Sequence, residues 1–432
     1  MRKFLLLFGW IIVSLTACQK DQTVAPVEMP RDRAMREVLR IAREGASMLE
    51  DDQTTRSAFG RRIDPSGVTC RIVPGTRAGE SADTLYYVVN YADEAGFALV
   101  AADERMTDRL LAVTERGRYA AGERSGNDGF DLYVDLLEHS LKDTVLIRDS
   151  TYREPGKLCE IEDYYSSWVA KGPYVTVRWG QGRTPYDPIY PYNKYCYSKY
   201  NQLSPAGCSA VVVAQIMSYH KKPSSYKITF DGSNRTKSID WDALAACVDG
   251  WMFYWTEEAA EDIALLFREI GERADIEYAP GGSGTSPQNA RHGFAAFGYD
   301  QNPARNYTFA DVRKDLDAGR PLYMRGEADF VDANGNVNRA GHAWVADGYK
   351  FRYHYIREYK DHDYGREYFR NETIPCQYIH INWGYDGDNN GYFQDNVFDL
   401  AKGYEYDMPY YDPTSIHFKY NVWIITQIRN TK

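Results

Sequence analysis

The chain has 432 residues and a formal net charge of −10, with 36 Tyr, 9 Trp and 34 Gly. No basic cluster or stripe accompanies that charge, which excludes a nucleic-acid binder, whose electrostatic footprint is basic. The aromatic and glycine content predicts strand-rich structure with many turns, and the length suffices for two folded units.

Arg2 and Lys3 precede an apolar run over 4–15, shorter than the ~20 residues a membrane-spanning helix needs. Leu15-Thr16-Ala17-Cys18 resembles the lipobox of bacterial lipoproteins. Residues 1–17 are therefore expected to leave as a lipoprotein signal peptide and Cys18 to be lipidated, against the simpler reading of an ordinary signal peptide. The polar segment 18–30, with Pro26 and Pro30, reads as a tether. Residues 31–160 are expected to form a smaller α+β unit. Met35, Val38, Leu39, Ile41, Ala42, Ala46 and Leu49 recur at helical spacing and predict an amphipathic helix over 31–49. Strands over 85–91 and 97–101 flank the turn Asp93-Glu94-Ala95-Gly96, and a second helix is predicted over 130–141. Residues 142–171, mixed, charged and carrying Pro155-Gly156, read as an exposed connector open to proteolysis, so the unit boundary falls between 142 and 174.

The second unit is assigned 161–432. From Cys208 to His220 no side chain is charged save the titratable His220, which predicts a helix buried on most sides. Val211, Val212 and Val213 favour a strand, but the run exceeds ordinary strand length. Beyond Arg320 the pattern alternates, predicting antiparallel strands over 321–325, 342–349, 378–383 and 422–427, with Asn334-Gly335 as a hairpin turn. Residues 351–372, rich in Tyr, Arg and Asp, read as a surface hairpin inserted between two of these strands. The seven cysteines (18, 70, 159, 196, 208, 247, 376) form no CxxC pair and no metal-ligand set. No metal and no cofactor is expected.

Cys208 heads the uncharged helix, and His342 and Asn382 follow it by 134 and 174 residues. A thiolate attacks carbonyls well only when its pKa is lowered, and a helix N-terminus and a neighbouring imidazolium are the common means. Nucleophile, then base, then orienting group is the chain order of papain-like thiol proteases, with the second and third residues ~130–150 positions downstream. The 351–372 insertion accounts for the late Asn382.

Further motifs surround these residues: Trp179-Gly180-Gln181-Gly182 with Pro185-Tyr186, Gly207-Cys208-Ser209-Ala210, Ala214-Gln215-Ile216-Met217, Gly341-His342-Ala343, Asp347-Gly348-Tyr349, His380-Ile381-Asn382-Trp383-Gly384 and Gly391-Tyr392-Phe393. Upstream stand Val89-Asn90, Gly96-Phe97-Ala98-Leu99-Val100 and Ala102-Asp103. Together they resemble the streptopain-like cysteine peptidases, which include interpain-type enzymes, over most of the chain. The resemblance implies a papain-like α+β fold, with the cysteine on a helix and the histidine and asparagine on an antiparallel sheet, behind an inhibitory propeptide unit. It implies Cys208 as nucleophile, His342 as general base and later acid, and Gln181 with the Cys208 amide as oxyanion hole. Asn382 and Trp383 would hold and shield the imidazole, while Ser283, Gly284 and Gly341 would border the substrate cleft. The expected product is a self-processing zymogen of an exported, lipoprotein cysteine endopeptidase. Its partners would be protein substrates and its own propeptide, with membrane contact only through a lipid on Cys18. Departures are Asp187 after Pro185-Tyr186 and the 351–372 insertion. The rivals are a lipoprotein cell-wall amidase and a catalytically inactive binding lipoprotein.

Other groups take plainer readings. His380 is expected to be structural and hydrogen-bonded, and His220 to be a charge partner for the helix end. Residues 386–391 fit the first half of a calcium loop, but Val397 stands where its glutamate belongs, so a tight polar turn is expected. Residues 281–286 lack the lysine of a phosphate loop.

Overall fold

The computed structural model describes residues 33–50, 61–73, 83–104, 106–151, 160–182, 191–249, 252–331, 337–362, 365–398 and 421–431. The expected signal peptide and tether with Cys18, Cys159, residues 185–187 and the Asn334-Gly335 turn lie outside them. The amino-terminal unit runs α1 (Arg33–Glu50), β1 (Ile63–Val73), β2 (Asp83–Tyr91), β3 (Phe97–Ala101), β4 (Leu110–Thr114) and α2 (Asp128–Thr151), followed by β5 (Glu160–Tyr165) and β6 (Val169–Lys171). Then come α3 (Cys208–His220), the β7–β8 hairpin (Ser225–Phe230, Ser233–Ser238), α4 (Trp241–Ala246), β9 (Val248–Asp249), β10 (Met252–Phe253), α5 (Glu257–Arg273) and α6 (Pro287–Ala296). Last are β11 (Tyr299–Asp300), β12 (Arg305–Asn306), α7 (Phe309–Asp317), β13 (Leu322–Val331), β14 (Val337–His362), β15 (Gly365–Asn382), β16 (Gly391–Gln394), β17 (Asn421–Ile425) and β18 (Arg429–Asn430).

All seven apolar positions that predict α1 are buried, packed on Val89, Tyr91, Ala98, Val100, Leu110 and Val113 of the sheet beneath. Each Met, Val, Leu or Ile side chain among them contributes roughly 1.5–3 kcal/mol when fully buried. The helix predicted over 130–141 is longer at both ends. Its start is set by Asn127, whose Oδ1 accepts from the amides of Gly129 and Phe130, both at 3.1 Å. Its end reaches Thr151 because no Gly or Pro intervenes before Pro155. The expected connector is thus helical in its first part. Its last part is also ordered: β5 and β6 pair with β14 beyond the end of β13, taking up backbone groups that edge leaves open.

One antiparallel sheet joins both units, in the order β1-β2-β3-β4-β16-β15-β14-β13-β17-β12. The seam is β4 against β16, with Thr114, Val113 and Ala112 opposite Gly391, Tyr392 and Phe393. A Cβ built on Gly391 would lie 2.2 Å from the Val113 carbonyl oxygen, so the seam can close only on a glycine. The 351–372 insertion continues the β14–β15 ladder without a break in direction, from Val345 opposite Asn382 to His362 opposite Gly365. Helix α3 spans the predicted residues, and everything from Cys208 to Met217 is buried against α5, α6 and the β13–β14 face. The absence of charge in that run follows from its burial. Among the described residues no helix is long and apolar enough to cross a membrane.

Candidate active site

Cys208 is the first residue of α3, where unpaired amides and the helix dipole favour a negative charge. Gly207 ahead of it has φ 92°, in the left-handed region that favours glycine, and a Cβ there would crowd the Ser283 carbonyl oxygen at 3.2 Å and Ile276 at 3.3 Å. The Gln181 carbonyl accepts from the Ala206 amide at 2.9 Å, which seats the 179–182 segment beside this turn.

His342 projects from β14, and its Nε2 is 2.8 Å from the Trp383 carbonyl oxygen. The other ring nitrogen is left for the Cys208 thiol, to which the imidazole is hydrogen-bonded. Burial alone drives thiols up: Cys196 is pushed up to about 12, and Cys376 is raised still further. Burial acts in the same direction on Cys208, yet its thiol falls to about 7. The charge and hydrogen bond of His342, the Arg325 guanidinium and the Ala343 amide outweigh desolvation there. His342 moves reciprocally upward, because the attraction of Cys208 and its hydrogen bonds exceed the cost of burying the cation. The pair therefore supports a thiolate–imidazolium state, the form that attacks carbonyl carbon and then returns a proton to a leaving amine.

In this structure the Asn382 side chain makes its hydrogen bonds away from the imidazole. Its Nδ2 donates to the Val177 carbonyl at 3.0 Å, and its Oδ1 accepts from the Gly384 amide at 3.1 Å and Gln215 Nε2 at 3.3 Å. Gln215 also donates to the Trp179 carbonyl at 2.9 Å. Asn382 thus fastens α3, the 177–179 segment and the turn after β15 together, while the Trp383 carbonyl orients His342. Trp383 is fully buried against Trp344 and Phe393, at centroid distances of 5.1 Å each. Its amide donates to Asn390 Oδ1 at 3.0 Å and its Nε1 to the Asn389 carbonyl at 3.1 Å. The 386–390 turn therefore serves as a cradle for Trp383. Among the described residues no group of three His, Cys, Asp or Glu is placed to hold a metal.

At the cleft rim, Ser283 Oγ accepts from the Ala279 amide at 3.3 Å, and Gly284 bridges to Glu277. Gly341 is exposed, next to His342 and opposite Glu327 of β13. Two residues that sequence reading missed lie beneath the site. Tyr323 Oη is 3.0 Å from Ser209 Oγ, and Arg325 donates to the Thr285 carbonyl at 2.8 Å and pairs with Glu327 at 3.1 Å. The available signal was a lone arginine closing an otherwise apolar strand.

The amino-terminal unit covers this site. A Cβ built on Gly129 would lie 2.4 Å from His342 Cδ2 and 2.6 Å from Trp383 Cε3, so the start of α2 rests directly on the imidazole and indole. Tyr385 Oη donates to Asp128 Oδ2 at 2.5 Å, and Asn127 Nδ2 to the Asp388 carbonyl at 2.8 Å. His380 is bonded to Asp347 and Glu115, as a structural, hydrogen-bonded histidine would be. His220 departs from expectation: burial pushes it toward the neutral form, so it is no charge partner for the helix end.

A thiol at a helix start, facing an imidazole on an antiparallel sheet, with a second unit laid over both, defines a papain-like cysteine peptidase carrying its propeptide. Residues 186–393 match the model of the Peptidase C10 family. Streptopain of Streptococcus pyogenes is 24% identical over 350 residues, covering 73% of this chain and 75% of that protein. The thiol protease/hemagglutinin PrtT of Porphyromonas gingivalis is 21% identical over 378 residues, 80% of this chain but 38% of the relative's length. Among solved structures, a prointerpain A fragment of Prevotella intermedia aligns with TM-score 0.48 and 19% identity, covering 84% of this chain and all of that one. Active interpain A aligns with TM-score 0.37 and 22% identity, over 59% and 94% of the two chains. The chain is a cysteine-type peptidase that carries a propeptide unit and resembles the streptopain-like enzymes of the Peptidase C10 family.

Proposed function

We propose that the chain is the zymogen of an exported, lipid-anchored cysteine endopeptidase that processes itself and then cleaves protein substrates. The observation that carries this reading is the buried Cys208 thiol held at about 7 beside His342. In the reaction, the Cys208 thiolate attacks the peptide carbonyl and the His342 imidazolium gives its proton to the departing amine. Water, deprotonated by His342, then hydrolyses the thioester. The Cys208 amide and the Gln181 side chain stabilise the oxyanion, each such donor supplying about 2.7–4 kcal/mol. Ser283, Gly284 and Gly341 line the approach for the substrate backbone, and Trp383 keeps water from the imidazole.

The seating of α2 on His342 supports an inhibitory amino-terminal unit, and the charged composition of 142–171, with Pro155-Gly156, supports processing within that connector. The lipobox at Cys18 places the anchor on the unit that is removed, so processing releases the peptidase from the membrane. Metabolic labelling with palmitate should tag Cys18 and not Cys18→Ser, and fractionation should find the processed form soluble.

The deciding experiment incubates the chain lacking residues 1–17 beside Cys208→Ala under reducing conditions, with mass spectrometry of the products and casein as substrate. Wild type should shorten and digest casein. Cys208→Ala should lose activity by at least about 10³-fold. Casein surviving in both, even after trypsin removes the amino-terminal unit, would overturn the reading.

A further inference from the structure

We propose that Arg325 is a positioning residue: its guanidinium ties the substrate rim at Thr285 to the first turn of α3 and holds a positive charge beside the Cys208 thiolate. Three contacts carry this. Nη1 donates to the Thr285 carbonyl at 2.8 Å, directly after the Ser283-Gly284 rim. The guanidinium is also coupled electrostatically to Tyr323, two residues before it on β13, whose hydroxyl is 3.0 Å from Ser209 Oγ in the residue after Cys208. Nη2 lies 3.1 Å from Glu327, which sits opposite Gly341 next to His342. Arg325 itself is opposite Ala343, the residue after His342. One planar cation thus touches the rim and the sheet below the imidazole and reaches the helix start through Tyr323, a fork that a lysine cannot reproduce.

A stabilising ion pair with Glu327 would account for one of these contacts alone. Such a pair has no reason to be buried, because desolvation takes back most of its Coulombic gain. The thiolate explains the charge: Arg325 acts on Cys208 through space, in a site that water screens poorly. The described titratable groups facing Cys208 are His342 from β14, Arg325 and Tyr323 from β13, and Tyr385 after β15. Asp128 faces His342 and Glu327 faces Arg325.

This inference rests on the thiol-peptidase reading, and its test separates the two. The full chain is alkylated with iodoacetamide across pH, Cys208 modification is followed by peptide mass spectrometry, and kcat and KM are then measured on casein-derived peptides after processing. Arg325→Gln should raise the alkylation midpoint by roughly one unit, leaving about tenfold less thiolate at pH 6. Arg325→Lys should keep the wild-type midpoint and raise KM severalfold, because the charge stays and the fork to Thr285 and Tyr323 is lost. A Gln variant whose profile superimposes on wild type overturns the proposal. If Gln fails to fold, as circular dichroism would reveal, the Lys variant decides: a shifted midpoint with unchanged KM overturns it. A wild-type midpoint no lower than that of an ordinary thiol would instead sink the thiol-peptidase reading itself.

Discussion

Glu115 Oε1 of the amino-terminal unit lies 3.2 Å from Nε2 of His380 in the peptidase unit, and both side chains are buried. His380 Nδ1 is 2.6 Å from Asp347 Oδ1, and Arg178 Nη2 stands 3.9 Å from the second Glu115 oxygen. Burial opposes the charge on His380, but Asp347 and Glu115 overcome it and lift the imidazole to about 10. Burial likewise opposes the Glu115 carboxylate, and the hydrogen bond and charge of His380, with Arg178 and Arg61, bring it below its ordinary value. The amino-terminal unit is thus latched by a carboxylate inserted into a cationic pocket.

Glu115→Gln keeps the shape of this latch and removes its charge. Losing a charge-assisted contact of this kind costs about 1.5–3 kcal/mol, with Asp347 still partnering His380. The variant should process faster than wild type in a time course followed by gel electrophoresis, and equal or slower processing would contradict the latch.

The latch also fixes a pH dependence. Glu115 is depressed on docking, so its contribution is full above the free carboxyl value near 4.5 and is lost as pH falls through the docked value. His380 is raised mainly by Asp347, which stays its partner after undocking, so only the part of the lift that Glu115 adds is linked to docking, and that part is lost as pH rises through about 10. Docking should be firm above about 4.5 and weaken as pH falls below that value. Limited proteolysis of Cys208→Ala across pH should show the amino-terminal unit loosening on acidification, and Glu115→Gln should flatten that acid limb.

Gly129→Ala places a methyl where His342 and Trp383 already stand. The start of α2 must lift away, while the peptidase unit itself is unchanged. Processing should accelerate several-fold, and kcat/KM of the processed product should equal wild type. A drop in the processed product's activity would mean that residue 129 does more than cover the site.

Asn382→Ala should act on stability before chemistry. Its three hydrogen bonds join α3, residue 177 and the turn after β15, and leaving those buried partners unpaired costs about 1–3 kcal/mol. A lowered unfolding midpoint with an unmoved Cys208 alkylation profile is the expected result. An alkylation midpoint displaced as far as that of a His342 variant would restore an orienting role to Asn382.

Much of this was legible in the chain. The bounds of α3 follow from the uncharged run between Cys208 and His220, and the amphipathic spacing of Met35 to Leu49 gives α1. The β14–β15 hairpin follows from the Tyr- and Arg-rich insertion, although its continuity with the central ladder does not. Chain order and the family resemblance point to Asn382 as the orienting group, but neither can say whether its amide or the next residue's carbonyl, 2.8 Å from His342 Nε2, faces the ring. The roles of Arg325, Tyr323 and Glu115 were unreadable for a related reason: each depends on a partner 40 to 265 residues away, brought close only by the sheet.

The seam between β4 and β16 has a later effect. In this structure Gly391, Tyr392 and Phe393 are paired on both sides, and removal of the amino-terminal unit, as proposed above, would turn that strand into the rim of the remaining sheet. Open rims recruit other strands, and short ones recruit poorly. Four residues, beginning with a glycine that lacks a side chain to grip a neighbour, make a rim of the safe kind. On the proposed processing, the amino-terminal unit would also guard this edge, and the rim it uncovered would be a short one that recruits other strands poorly.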